Sequence, residues 1–581
     1  MSNKNILNVL FLLCLVGLVQ VVSAQDLEGI SKQKPFKISG GVGLNYTSTS
    51  TNDSNRIPMP AFWGANLNLN VSVYGISIPV TAVFTNGKVS MNHAFNQFGM
   101  SPQYKWVTLH VGYRQFSYSP FSVSGQTLLG GGIELRPWKF RLGFFGGRLR
   151  KAIEIDTTSL FEQNIPGSYP LNISTENGNN YYSPQVSFSR VAWGGKVGFG
   201  KETNFVDLIF FKAHDITSSL AIQSKALEIR PEENVVLGIN VYQRLFKHFS
   251  FGINSAASIY TYDTNASALI TDIPFGNLAN NLITIRSTTQ LQWAGEATLN
   301  INYPKFNLLT SYKRAEPNYK SMGITSFLND LNLITIQPSW TLFKQKVRFS
   351  NVFQFQSDNL NNYKQLTTSR SLLSSSVSFN LSNQFGTDFN YNGTSITQEK
   401  TTGQSSSSLQ LSQKSNSVTV SPRYIFNTIN YSDVISLVGS LTSIKNHQIN
   451  STDNNISNTY FTLNNTLSLV KGSWSVNSGG NFNSAITSQN KLLSYGFIAG
   501  ISKSMLNNSF TLSNNNTILW NKLDGKNNGT TVSIDLNGVY NFLKRNTLNI
   551  GFSYLYSPAN NIYNIQEFKQ KRLMISYQYN F

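Results

Sequence analysis

Apolar and polar residues alternate along much of this chain. Between Trp63 and Val73, apolar residues fill the odd positions, and Gly, Asn or Ser fills the even positions. The stretches 290–301 and 547–556 repeat the pattern. A period of two residues indicates a β-strand whose two faces meet different surroundings. The chain is therefore predicted to be all-β, with strands that each have one apolar and one polar face.

The length of the strands and the rhythm of their connections favour a membrane barrel over a soluble sandwich. Many alternating runs reach about 11 to 14 residues, which is long enough for a tilted membrane crossing. Very short turns, such as 136–139 and 303–305, alternate with long polar loops. The long loops cover 151–186, 214–233, 262–287, 398–414 and 557–568. Bacterial barrels have short periplasmic turns and long extracellular loops, whereas a sandwich has no reason to sort its loops by end.

The C-terminal strand carries the most specific local feature. Its apolar face consists of Leu573, Ile575, Tyr577, Tyr579 and Phe581. An alternating strand that ends on an aromatic residue resembles the signal read by the barrel assembly machinery of the outer membrane. The strand therefore predicts this machinery as a partner and the bacterial outer membrane as the location.

Counting the alternating runs predicts a single large antiparallel transmembrane β-barrel over residues 36–581, with about 26 strands and a range of about 22 to 28. An even number is the bacterial rule and places both termini in the periplasm. The count includes a strand at 88–98, which the alternation of directions requires between its neighbours. A barrel of this size has a wide lumen that is normally plugged. Residues 25–35 are too few for a plug domain, so a partner or long loops, with 151–186 as the best candidate, would have to fill it.

Residues 1–24 have the three parts of a secretory signal peptide. A basic start, a short apolar run and the small residues Val22-Ser23-Ala24 follow one another. The apolar run is short for a membrane-spanning helix. Cleavage would remove Cys14, the only cysteine of the chain, and would leave a short periplasmic segment at 25–35.

The composition fits a surface with lipid on one side and water on the other. Charged residues make up 13% of the chain and aromatic residues another 13%, whereas soluble proteins carry about 25% charged residues. The net charge is +19, or +18 once Lys4, the only charge in the signal, is removed. A basic balance can indicate nucleic acid, but export and the strand pattern argue against that partner. Contact with the headgroups of outer-membrane lipid, or a positive pore, explains the charge more simply.

Four stretches between about residue 90 and residue 330 have a distinctive local sequence. They are Phe95–Pro102 with Tyr104–Trp106 and Gly112–Arg114, Gly146–Ala152, Pro231–Asn234 with Leu237–Gly238, and Tyr312–Gly323. Together they resemble a group of large outer-membrane β-barrel proteins of Bacteroidota to which no substrate is assigned. The resemblance implies the barrel fold and the outer-membrane location, and it implies nothing further about function.

No catalytic or metal-binding arrangement stands out. The histidines are His93, His110, His214, His248 and His447, and no two of them have metal-ligand spacing on a strand. Ser, His and Asp are common enough to combine by chance, and no Gly-rich phosphate loop leads from a strand into a helix. The chain is therefore predicted not to be an enzyme and to need no cofactor or metal.

Charges that the alternation places inside the barrel bear more directly on function. They are His110, Arg114, Arg141, Lys196, Glu296 and Arg348. One interpretation is a basic lumen that favours anionic solutes. The other is that acidic residues or a plugging loop pair with these charges inside the barrel.

Two functions are the main hypotheses at this point, and a barrel enzyme such as a lipase or protease is a third. The size of the predicted barrel favours a porin-like pore or transport channel for solutes or macromolecules. The missing plug domain and the missing catalytic cluster fit about equally well a structural or assembly subunit that binds other envelope proteins. We favour transport slightly over the structural role.

Overall fold

The computed structural model describes residues 36–52, 61–74, 76–85, 97–153, 173–176, 179–182, 186–220, 229–269, 282–401, 410–448, 454–559 and 566–581. The predicted signal peptide at 1–24 and the segment at 25–35 lie outside these ranges. A 3₁₀ turn is present at Thr217–Ser219. Within the described ranges, no helix is long and apolar enough to cross a membrane.

The chain is built from β-strands joined by turns and loops. The strands are β1 Phe36–Thr51, β2 Ala61–Val73, β3 Ile76–Thr85, β4 Gln97–Met100, β5 Gln103–Tyr104, β6 Val107–Gln115, β7 Thr127–Leu135, β8 Phe140–Arg150, β9 Ile173–Glu176, β10 Asn179–Tyr182, β11 Ser189–Lys201, β12 Asn204–Ile216, β13 Glu233–Leu245, β14 Phe249–Thr261, β15 Thr289–Tyr303, β16 Phe306–Ala315, β17 Leu331–Leu342, β18 Val347–Ser357, β19 Leu366–Asn380, β20 Phe385–Lys400, β21 Leu411–Asn427, β22 Tyr431–Gln448, β23 Ile456–Leu469, β24 Trp474–Ile486, β25 Lys491–Met505, β26 Phe510–Leu523, β27 Lys526–Phe542, β28 Asn546–Ser557 and β29 Phe568–Asn580. β9 and β10 form a separate small hairpin.

All the other strands close into one antiparallel barrel. β1 pairs with β2 on one side and with the last strand, β29, on the other. β4 and β5 together occupy one place between β3 and β6, so the 27-stranded sheet corresponds to a 26-strand barrel. The prediction of a single antiparallel barrel with about 26 strands is confirmed. The strand predicted at 88–98 lies mostly outside the described residues, and β4 with β5 takes its place in the order.

Large apolar side chains cover the outer face of the barrel. Trp63 is 47% exposed, Leu463 is 51% exposed and Phe497 is 65% exposed, although all three lie in regular strands. Water would solvate so large an apolar surface poorly, whereas hydrocarbon solvates it well. The outer face is therefore the lipid-facing side, as the alternation predicts.

The connections are sorted between the two ends of the barrel. Short turns such as 304–305, 343–346 and 506–509 lie at one end, which we call the turn end. The opposite end, the loop end, has the long connections 116–126, 151–188, 217–232, 262–288 and 316–330. A tight turn also occurs there, at Asp524–Gly525, where both residues have positive φ angles. The two ends of the barrel therefore present very different surfaces.

The inner face is not polar throughout, which corrects the expectation that every polar face meets water inside the barrel. In β8, β12 and β13, apolar residues are adjacent in the sequence, as in Phe144-Phe145, Phe210-Phe211 and Val235-Val236. Successive side chains of a strand point to opposite faces, so these strands are apolar inside as well as outside. Phe145, Phe211 and Val236 are fully buried. This part of the inner wall is covered by another part of the chain.

The barrel is too wide for a covering on one wall to fill it. A strand spacing of about 4.8 Å and a tilt of about 40° give a round barrel of this strand number a backbone diameter of about 50 Å. Side chains on the inner face reduce this width but leave space for solvent or another molecule. What covers the apolar wall is therefore central to function.

Leu463 and its neighbour Asn464 test which face meets lipid. Leu463 points outward from β23 and Asn464 points inward, opposite Gly479 of β24. We expect Leu463→Arg to lower the free energy of unfolding by about 2–4 kcal/mol, because the new charge would sit in hydrocarbon. The measurement is urea unfolding of the protein refolded into lipid vesicles.

Asn464→Arg is the matched control, because it adds the same charge on the inner face. We expect it to change the free energy of unfolding far less. Equal losses for the two variants would contradict the assignment of the faces.

Candidate functional site

Two loops from the loop end fold into the barrel and cover the apolar wall. They are residues 116–126, between β6 and β7, and residues 316–330, between β16 and β17, and we call them the plug. Phe121 is 0% exposed and Tyr319 is 1% exposed. Both belong to the same buried apolar cluster as Phe145 and Phe211 of the wall. The plug and the wall therefore form a hydrophobic core inside the barrel.

The two plug loops hold each other through backbone and side-chain hydrogen bonds. The hydroxyl of Tyr319 donates to the carbonyl oxygen of Phe121. The Ser321 hydroxyl donates to the carbonyl oxygen of Ser122 at 2.7 Å. The loops come so close that a Cβ atom at Gly323 would overlap the same Ser122 oxygen. Because both loops depend on these contacts, the plug behaves as one unit.

Asn234 of β13 fixes the plug to the wall. Its side chain is buried and donates to the Ser258 hydroxyl at 2.8 Å and to the Ile259 carbonyl at 3.0 Å. Its side-chain oxygen accepts a hydrogen bond from the backbone N–H of Met322 at 3.0 Å. The Ser258 hydroxyl in turn donates to the carbonyl oxygen of Lys320 at 2.6 Å. One buried amide therefore connects two strands and the plug.

Aromatic rings fill the space between the first plug loop and the wall. The ring of Phe116 stacks on Phe145 with centroids 4.7 Å apart, and it contacts His110 edge-on at 5.0 Å. A Cβ atom at Gly132 would lie 2.7 Å from the Phe116 ring. Glycine on the wall therefore makes room for the aromatic side chain of the plug.

A network of ion pairs joins the plug to the loop end of the wall. Arg190 donates to both oxygens of Asp215, at 2.7 and 2.9 Å, and to Glu232 at 2.7 Å. Lys320 of the plug donates to the other oxygen of Glu232 at 2.9 Å, and its ammonium lies 4.4 Å from the ring centre of Tyr260. Charge-assisted hydrogen bonds of this kind are stronger than neutral ones. The network therefore attaches the edge of the plug at the loop end to the wall.

Glu232 lies in the connection before β13, and its environment shifts its acidity. Burial alone would raise the pKa of Glu232, but the hydrogen bond and charge of Lys320, together with the charge of Arg190, outweigh it. The pKa of the Glu232 carboxyl is therefore below its usual value. The carboxylate stays ionised at neutral pH and holds Lys320.

A second ionic group lies nearer the turn end. Arg141 donates to the two oxygens of Asp207 at 2.8 and 3.1 Å and also contacts Glu202 at 3.3 Å. The ammonium of Lys196 lies 4.5 Å from the ring centre of Tyr118, a residue of the plug. Both basic side chains thus interact with partners inside the barrel.

The structure places all six predicted lumen charges on the inner face. Beyond Arg141 and Lys196, His110 lies 2.8 Å from the Ser101 hydroxyl and contacts the Phe116 ring. Arg114 donates to Thr81 at 3.3 Å. Glu296 is opposite Lys313, whose ammonium lies over Phe121 and Phe327 of the plug. Arg348 is separate from the others, opposite Ser378 of β19. The geometry favours pairing within the plugged wall over a basic lumen for most of this set.

The plug itself was not anticipated from the sequence. The loop at 151–186, proposed for its length, lies mostly outside the described residues. The segments 116–126 and 316–330 are shorter and include apolar residues, so length and polarity gave no indication. Adjacent apolar residues such as Phe210-Phe211 were the available signal, because they indicate a strand that is apolar on both faces.

The inner face of β21–β28 is lined differently. Alternation and register place the residues Ser417, Thr419, Ser440, Thr442, Asn464, Asn477, Asn481, Ser513, Asn515, Asn537 and Asn549 inside. We call this surface the polar wall. Hydroxyl pairs such as Thr419 with Ser440, at 3.0 Å, connect neighbouring strands. The same register places a few apolar residues inside, such as Val438 and Ile498. A lining composed mainly of amides and hydroxyls is suited to contact with water or hydrophilic solutes.

The C-terminal apolar face lies where its pattern predicts. Leu573, Ile575 and Tyr577 are opposite Phe552, Ile550 and Leu548 of the lipid-facing side. The rings of Tyr579 and Phe581 contact each other with centroids 4.8 Å apart. Recognition of this face by the barrel assembly machinery stays a prediction.

In the described ranges, no group of three or more His, Cys, Asp or Glu residues that could hold a metal ion comes together. The site that the geometry supports is the lumen, with its plug and its polar wall.

Comparisons with known proteins give similar folds. No family model matches the chain, and no curated protein matches it. The siderophore receptor PirA from Pseudomonas aeruginosa is similar with 9% identity over 95% of this chain and 81% of that chain, at a TM-score of 0.37. The FrpB iron transporter from Neisseria meningitidis (F3-3 variant) has 9% identity over 96% of this chain and 83% of that chain, at a TM-score of 0.35. The translocation pore of the P pilus usher PapC has 10% identity over 94% of this chain and 99% of that chain, at a TM-score of 0.25. Scores this low carry no argument about function.

Removing the amide that fixes the plug should loosen it. In Asn234→Ala, the buried N–H of Met322 loses its acceptor, which costs about 1–3 kcal/mol. We expect faster hydrogen exchange in residues 316–330, measured by mass spectrometry on the protein in lipid. Asn240→Ala, in the same strand and also on the inner face, is the control and should leave this exchange unchanged. Unchanged exchange in Asn234→Ala would contradict the anchoring role.

Acid should weaken the ion pairs of Glu232 that attach the plug at the loop end. Because the pKa of Glu232 is depressed in the folded state, its ion pairs contribute fully above the unfolded value of about 4.3. That contribution is lost as the pH falls through the lower folded pKa. Near neutral pH we therefore expect the ion pairs of Glu232 to keep their full contribution. In acid we expect them to weaken, so that pepsin cuts within 316–330.

The variant Glu232→Gln tests this dependence, because it removes the ionisable group. Compared with the unmodified protein at each pH, it should be cut more readily in mild acid and should lose the acid-induced increase that Glu232 causes. Glu399→Gln, at an exposed position of β20, is the control and should behave like the unmodified protein. If pepsin cleavage of Glu232→Gln depended on pH as it does in the unmodified protein, the ion pairs of Glu232 would not hold the plug.

Proposed function

We propose that this chain is a channel of the bacterial outer membrane, in which the plug narrows the lumen without filling it. The observation that carries the proposal is the division of one inner surface into two linings. The wall beneath the plug is apolar and buried, as Phe145 and Phe211 illustrate. On the polar wall, many inward-facing positions instead have amides and hydroxyls. A polar lining is stable where it meets water, so this division supports an aqueous path along the polar wall.

The location in the outer membrane is supported by several independent features. A lipid-facing belt surrounds a closed barrel, and residues 1–24 have the pattern of a secretory signal. Exposed lysines at the turn end, such as Lys247, Lys305 and Lys344, suit a leaflet with anionic headgroups. In this arrangement the turn end is periplasmic and the loop end is extracellular.

The plug is suited to partial closure. It is held by hydrogen bonds, ion pairs and apolar packing, with no covalent link, because Cys14 is the only cysteine of the chain. Its two loops contact the wall formed by β6–β8 and β11–β17. The proposed channel needs no catalytic step and no cofactor.

A subunit of an envelope complex is the second candidate. The specific observation in its favour is the width of the barrel, about 50 Å across the backbone if round. The two short plug loops cover one wall and leave much of this width unfilled. A partner chain could occupy the remaining lumen against the polar wall. Purification from the native membrane discriminates between the candidates, because a stoichiometric partner in the barrel supports this role and a solitary barrel supports the channel.

Ion conductance across a planar lipid bilayer tests the channel. We expect the unmodified protein to conduct, and we expect a variant with residues 317–329 replaced by a short Gly-Ser linker to conduct several-fold more, because half of the plug is then absent. Heat-modifiable migration in gels verifies that each variant is folded. A folded variant without the loop that still passes no current would overturn the proposed function.

A further inference from the structure

The polar wall is nearly free of net charge, although the whole chain has a net charge of +19. Among the described inward positions of β21–β28, the charged residues are Arg423, Lys526 and Asp535. Arg423 lies towards the turn end and donates to Asp388 at 3.1 Å and to Asn380 at 2.7 Å. Lys526 lies at the opposite rim, next to the Asp524–Gly525 turn. Asp535 lies in the middle of the wall, opposite Asn515, and accepts a hydrogen bond from the Ser533 hydroxyl at 3.1 Å. Apart from this single carboxylate, the middle of the wall offers mainly amides and hydroxyls.

The charges of the plugged wall do not supply that field either. Arg141 is neutralised by Asp207 at 2.8 Å, and Arg190 by Asp215 at 2.7 Å. Lys320 is neutralised by Glu232. Channels that select ions place rings of like charge or oriented carbonyl dipoles around the path. The paired charges described here form no such ring.

Glycines allow the amides of the polar wall to lie flat against it. A Cβ atom at Gly500 would overlap the side-chain oxygens of both Asn477 and Asn515, which lie on the two neighbouring strands. Gly479 makes room for Asn464 in the same way, with its Cβ position 2.7 Å from the amide oxygen. Each asparagine side chain offers two N–H donors and an acceptor oxygen. The wall is therefore smooth and presents donors and acceptors side by side.

We infer that the polar wall selects uncharged hydrophilic solutes, and that carbohydrates are the class whose chemistry fits it. Each sugar hydroxyl both donates and accepts, so it exchanges water for amide and hydroxyl partners along the wall with little loss. Away from Asp535, an ion that contacts the wall would exchange water for neutral partners and would gain no opposite charge. This inference rests on the proposed channel function and adds the class of substrate to it.

Solute entry into proteoliposomes tests the selectivity with three compounds of similar size. Glucose is uncharged, gluconate is an anion, and glucosamine is a cation when its amine is protonated. Osmotic swelling after dilution into each isotonic solute gives the rate of entry. We expect glucose to enter faster than either charged compound, and we expect vesicles without protein to swell in none of them.

Two substitutions that add charge to the wall with little change of shape sharpen the test. In Asn477→Asp with Asn515→Asp, two carboxylates flank Gly500 on the lumen side. We expect glucosamine entry to rise several-fold and gluconate entry to fall, so that the preference for glucose is lost. Gln489→Glu makes the same amide-to-carboxylate change in an exposed connection outside the barrel and should leave all three rates unchanged.

The outcomes separate this inference from the proposed function. If the protein conducts ions but gluconate or glucosamine enters faster than glucose, the channel stands and the substrate class is wrong. The substrate class is also wrong if Asn477→Asp with Asn515→Asp leaves the three rates unchanged in a folded, conducting protein. If neither solutes nor ions pass, even after replacement of 317–329, the channel itself is wrong.

Discussion

The constraint on which this structure depends is that backbone amides in hydrocarbon have no water to bond. Every N–H and C=O group in the lipid-facing belt must find a partner within the sheet, so the sheet cannot have free edges. β1 meets this requirement by pairing with β29 from Gly41 opposite Asn580 to Thr51 opposite Gln570. Closure at this strand number sets the width of the barrel. A wide lumen follows, and with it the need to organise the space inside.

The chain organises that space by giving its inner wall two linings. Under the plug, the wall consists of glycines and buried apolar side chains, and Phe116, Phe121 and Tyr319 pack against it as in the core of a soluble protein. Opposite the plug, asparagine, serine and threonine line β21–β28. The first lining fixes a plug and the second suits a hydrophilic path. The proposed channel, narrowed on one side, accounts for both features.

Charge is distributed by the same logic. Beneath the plug, Arg141 is paired with Asp207 and Lys196 lies over the ring of Tyr118, whereas Arg348 lies apart from the plug, opposite Ser378. Pairing is required beneath the plug because a buried charge without a partner is costly. Exposed lysines at the turn end need no partner and contribute to the basic balance of the chain. The overall net charge is thus a poor guide to the electrostatics of the space beneath the plug.

The sequence by itself determined the barrel. A period of two residues, strands long enough to cross a membrane and connections sorted by length all follow from local physical requirements, so each is visible in a single stretch of chain. The inward positions of His110, Arg141 and Arg348 were predictable for the same reason, since successive side chains of a strand point to opposite faces of the sheet. Only the tertiary structure decided what those residues contact. The loops at 116–126 and 316–330 meet inside the barrel although they are far apart in sequence, and Asn234 acquires its role from a loop that follows it by several strands. Such contacts depend on how the closed sheet brings distant segments together, and no local pattern records that arrangement.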